Sequence, residues 1–114
     1  MNFFKSDIVR SEMAEIAELQ KKIYKNVFEF SNMKKDDKIE HIELLQSLLD
    51  KQRVLYTRLS LSDDSEAQEM KSHIVKSLSM LGIPDNIDIN QLFNNMSKTI
   101  VNMKDQIDRT GSDL

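Results

Sequence analysis

Residues 6–32 read SDIVRSEMAEIAELQKKIYKNVFEFSN, and their apolar positions fall at Val9, Met13, Ile16, Ile23, Val27 and Phe30, with Gln20 in the one vacant slot of an alternating four-and-three spacing. That spacing averages about 3.5 residues, close to the α-helical turn of about 3.6, so these residues share a narrow seam along one side of a helix. A strand would need strict alternation, which the stretch lacks. The reading predicts a helix over 6–32 that meets a neighbour along its seam, in coiled-coil fashion.

The same pattern recurs downstream, separated by helix-start signals. Asp37 with Glu40 three residues on resembles a capping box and predicts a second helix over 37–60. Its seam is Ile42, Leu45, Leu49, Tyr56 and Leu59, with Gln52 in the vacant slot, and Leu44, Leu48 and Leu55 form an adjacent stripe. Two stripes make a broad apolar face that must touch more than one neighbour. Asp63 with Glu66 opens a third helix over 64–81, carrying Ala67, Met70, Ile74, Leu78 and Leu81 and stopped by Gly82-Ile83-Pro84. Asp88 with Gln91 opens a fourth over 89–109, with Ile89, Phe93, Met96, Ile100, Met103 and Ile107 on its seam and Gly111 beyond its end.

Composition agrees with this pattern. Two Gly and one Pro among 114 residues are too few for a fold of many tight turns. Acids lead and bases trail within the helices: Asp7, Glu12, Glu15 and Glu18 precede Lys21, Lys22 and Lys25, and Asp36, Asp37, Glu40 and Glu43 precede Lys51, Arg53 and Arg58. Each arrangement opposes the helix dipole at both ends. The chain is read as one all-α domain, a long antiparallel helical hairpin plus two further helices, bundle or coiled-coil-like. Its seams are longer than one small chain can hide, which points to a homo-oligomer.

The net charge of -3 and near balance of acids and bases prescribe no polyanionic partner. The absence of cysteine removes disulfides, thiolate metal sites and thiol nucleophiles and suits a reducing cytoplasm. The opening residues, with Phe3-Phe4 and Ile8-Val9 as short apolar pairs, make neither a secretory segment nor a membrane span. A soluble cytoplasmic protein is expected.

Reactive chemistry is sparse. Neither His41 nor His73 has the glutamate three residues earlier that a di-iron carboxylate bundle uses, because Lys38 and Met70 stand there. Both histidines are read as solvated, and the paired acids as helix starts facing water rather than a buried acid–base pair. Phosphate loops and nucleophile elbows are missing, so no enzyme, metal or cofactor is expected. Met13, Met70, Met96 and Met103 sit in the seams and are read as core filling. The candidate partner contacts are the exposed rings Phe3 and Phe4, which either staple the first helix onto a neighbour or dock into a partner, and Lys51, Arg53, Tyr56 and Arg58 near the end of the second helix. The last four are the nearest approach to a nucleic-acid patch, thin because Arg53 points away from the other cations.

The opening MNFFKSDIV, the middle stretch LLDKQRVLYTRLSLSDD at 48–64, and the later MLGIP at 80–84 and QLFNNM at 91–96 resemble a family of small helical proteins, the domain of unknown function 1825. The likeness spans most of the chain. It implies an origin in cyanobacteria or their tailed phages and supplies no catalytic residues. The resulting expectation is a non-enzymatic adaptor or regulatory protein acting by helix–helix contact, with a nucleic-acid-associated factor as the alternative.

Overall fold

In the computed structural model, which describes residues 2–80, 82 and 88–110 (side chains of 77, 78 and 110 excepted), every regular element is helical. A short 3₁₀ turn at Phe3–Lys5 leads into α1, Asp7–Val27, and a second turn at Phe30–Asn32 leads into α2, Lys35–Leu61; α3, Ser65–Met80, and α4, Ile89–Thr110, follow. There is no strand among the described residues.

α2 is the central element, and α1, α3 and α4 each pack on it. Its two stripes explain this, since a narrower face could not serve three neighbours. Ile42, Leu49 and Leu59 on its seam are buried, with Ile42 only 1% exposed, and α1 contributes Val9, Ile16 and Ile23 at its predicted spacing. Full burial of an aliphatic side chain of that size contributes roughly 1.5–3 kcal/mol. Polar contacts stitch the same pairs: Glu12 meets Arg58 at 2.8 Å and Glu15 meets Lys51 at 2.7 Å between α1 and α2. Between α2 and α4, Glu43 meets Lys104 at 3.5 Å and Gln46 donates to Ser97 at 3.2 Å.

Several element ends differ from the sequence expectation. α1 stops at Val27, five residues before the expected end at 32, because its hydrogen bonding tightens to three-residue spacing, with the amides of Glu29, Asn32 and Met33 donating to Asn26, Glu29 and Phe30. That tighter turn lays the Phe30 ring against His41 at 5.3 Å between centroids, with the Lys38 ammonium 5.7 Å from the centroid of the same Phe30 ring. His41 is therefore buried, not solvated. It continues the stripe of Leu48 and Leu55 at seven-residue spacing, so it faces inward with them. α2 begins at Lys35 with Lys34 as its cap, and Asp37 lies inside the first turn without the capping bond expected of it. The cap of α3 is Asp64 rather than Asp63: its Oδ1 accepts from the Glu66 amide at 2.9 Å. Asp88 caps α4 as expected, accepting from the Asn90 amide at 2.9 Å. Gly82 takes φ 88, the left-handed conformation that suits glycine after a helix, and its amide donates to the Ser79 carbonyl at 3.0 Å. The expected roles of Leu81, Ile83, Pro84 and Gly111, and of the Leu78 side chain, lie outside the described residues.

The molecule is flattened and long, 52 × 31 × 19 Å. Its thickness matches about two helix diameters. The radius of gyration is 16.5 Å, against about 13 Å for a compact chain of this length.

Candidate functional site

Where the N-terminal turn, the second half of α2 and the starts of α3 and α4 converge, they leave an apolar groove of about 450 Å³. Its construction begins at Asp64. One carboxylate oxygen caps α3, and the other accepts the Phe3 amide at 2.5 Å. Asn2 adds a bond to Glu66 at 3.3 Å and accepts the Phe4 amide at 2.9 Å. Those bonds drop Phe3 into a cluster with Val9, Leu59 and Ala67, and Phe4 stands edge-on to it, ring centroids 5.0 Å apart and planes at 88°. The Phe3 amide, and after it the Glu66 amide, hold the Asp64 carboxyl below the ordinary aspartate value by stabilising its charged form.

The groove is walled by Phe4, Leu55, Tyr56, Ile74 and Phe93 and rimmed by Met13, Met70 and Met96. Tyr56 reaches across to Phe93 with centroids 6.2 Å apart. Among the described residues that line it, the one side-chain amide is Gln52, the residue in the vacant slot of the α2 seam. The three rim methionines are 41%, 41% and 45% exposed, so they are not the core filling that their seam positions suggested. The groove leaves them without a covering neighbour, and an adaptable thioether chain suits a surface that must mould itself to an apolar contact.

The six candidate contacts divide. Phe3, Phe4 and Tyr56 come together in this groove, but Phe3 is 8% exposed, which corrects the expectation of an exposed ring: it staples the chain start to α2 and α3. Lys51 and Arg58 project toward α1 and are held by Glu15 and Glu12. Arg53 is half-buried and makes no ion pair among the described residues. The basic segment is thus largely neutralised. Sequence reasoning missed the groove because its walls come from four separated segments, and the one available signal was the polar Gln52 in an otherwise apolar seam.

His41, in its separate position under Phe30, has a buried Nδ1 without a hydrogen-bond partner, and burial pushes its pKa below the ordinary 6.5. No cluster of three His, Asp or Glu side chains among the described residues is placed to hold a metal ion. No helix among them is long and apolar enough to cross a membrane.

No curated protein and no solved structure matches the chain. The family model described as "Domain of unknown function (DUF1825)" matches residues 1–107, so the resemblance carried by the N-terminal, middle and α4 motifs extends over nearly the whole chain, and the protein belongs to that family.

Proposed function

We propose that this chain is a non-enzymatic helical interaction protein, an adaptor or regulator that works by taking an apolar helical segment into the groove where the N-terminal turn, α2, α3 and α4 converge beside α1. The observation that carries this reading is the half-open apolar groove itself, with its three exposed methionines on the rim. Its size admits a few large side chains, the number that an amphipathic helix presents as about three anchors at i, i+3 or i+4, and i+7. The pairings Glu12–Arg58 and Glu15–Lys51 support an antiparallel α1–α2 hairpin as its rigid wall, since partner numbers fall along α2 as they rise along α1. From the resemblance, its setting is the cytoplasm of a cyanobacterium, or of the host where a phage encodes it.

The test compares proteins retained by the wild-type chain with those retained by Met13→Lys and Met70→Lys, two exposed rim substitutions that leave the buried cluster intact. A protein held by the wild type and released by both variants supports the reading. Identical retention by all three removes it.

A further inference from the structure

We infer that the connection between α1 and α2 is a proton-operated latch: the Phe30 turn is closed on α2 while His41 beneath it is uncharged, and it opens when the imidazole takes up a proton. The latch lies toward the start of α2, away from the groove, and does not depend on what the groove binds. In the connection, residues 28–34, only Phe30 and Met33 are not exposed. Two helices of 21 and 27 residues are thus joined through few anchors, and one of them is the contact of Phe30 with a titratable ring. The turn itself is closed by the amides of Asn32 and Met33, which donate to the carbonyls of Glu29 and Phe30 at 2.9 and 3.1 Å.

The position calls for an apolar residue. His41 continues the stripe of Leu48 and Leu55, where a leucine would pack, yet it is 5% exposed and its buried Nδ1 has no hydrogen-bond partner. An empty buried acceptor is a cost that leucine would not carry, so packing alone does not account for the imidazole. In the charged form both ring nitrogens are donors, and Nδ1 must then donate where the closed turn offers no acceptor.

The surrounding charges do not relieve it. On α2, Lys38 lies 5.7 Å from the centroid of the Phe30 ring, so the ring that would attract a lone imidazolium already attracts an ammonium. Asp37 stands one helical turn before His41, and Lys35 donates to the Asp108 carbonyl of α4 at 3.1 Å. Lys104 of α4 is held by Glu43 at 3.5 Å. The same helix also brings Asp105 and Arg109, α1 ends near Lys25, and the connection carries Glu29 and Lys34. No carboxylate among the described residues forms an ion pair with His41. A proton taken up under the closed turn is therefore neither paired nor hydrated, and lifting Phe30 admits water. The open turn binds the proton more tightly than the closed one, and falling pH shifts the population toward it.

NMR on the full chain from about pH 7.5 to about pH 5 tests this, with His41→Leu and Phe30→Ala beside the wild type. In the wild type, the ring-to-ring contact of Phe30 with His41 should weaken as His41 titrates. Protection of the Asn32 and Met33 amides, corrected for the intrinsic effect of pH on exchange, should fall with it by at least about fivefold, while Leu49 keeps its protection. His41→Leu should hold the turn closed throughout. Phe30→Ala, which uncovers the imidazole and leaves its titration readable, should move the His41 midpoint up toward the ordinary 6.5. Protection at Asn32 and Met33 that ignores the titration of His41 overturns the inference. So does loss of protection at Leu49 in step with them, which is unfolding of the whole molecule, and so does a His41 midpoint that is the same with and without Phe30.

Discussion

Asp64 binds two backbone amides with one carboxylate, those of Phe3 and Glu66, and so joins the chain start to the start of α3. Replacing it with alanine removes both acceptors, and the expected outcome is a lower thermal midpoint together with faster amide exchange at Phe3, read by NMR. Its depressed pKa gives the sign of the pH effect: the stabilisation is complete above the ordinary value of 3.8 and is lost as pH falls through the lower folded value. His41 acts in the same direction at higher pH. An unfolded chain takes up a proton near 6.5 that the buried ring resists, so stability is full above 6.5 and declines as pH falls toward the lowered folded value. Urea midpoints from about pH 7.5 to about pH 5 should fall for the wild type and fall less for His41→Phe. Neither role was fully legible in the sequence. Asp63 and Asp64 satisfy a capping rule almost equally, and only the docking of Phe3 selects the second. A histidine beside apolar residues reads as surface until the Phe30 turn covers it.

At the scale of elements, the four-and-three spacing sufficed to place Val9, Ile16 and Ile23 on one buried seam, because helical periodicity is a local property. It could not tell that Met13, on the same seam, would meet a gap rather than a side chain, since that depends on how far α4 stands from α1. Ile42 shows how much of α2's hold lies in its first half: Ile42→Ala should cost about 2–4 kcal/mol in urea denaturation. Phe28, 91% exposed beyond the end of α1, should tolerate serine within about 0.5 kcal/mol by the same measurement. The ordering of acids before bases, which the sequence suggested as dipole compensation, has a second use. It sets the acidic first half of α1 beside the basic second half of α2, where Glu12 and Glu15 reach Arg58 and Lys51. The Glu15–Lys51 pair is largely solvated, and a double-mutant cycle on it should give a coupling below about 1 kcal/mol. They select the pairing of the helices more than they stabilise it.

At the scale of the whole molecule, the number of helices was readable from caps and seams, and their arrangement as a slab was not. A slab follows when one helix with a broad face carries three neighbours and those neighbours have little to say to one another, and α2 is that helix. The groove is a product of that plan, which explains why the methionines at the rim look like core residues in sequence and like surface residues in space. The arrangement also ranks how the protein comes apart. Losing α1 or α4 at an edge leaves the remaining contacts with α2 standing, whereas opening α2 removes the three main helix–helix pairings at once. Hydrogen–deuterium exchange should therefore be slowest around Ile42 and Leu49, and the last amides to exchange there should report global unfolding while the outer helices exchange through smaller, separate openings.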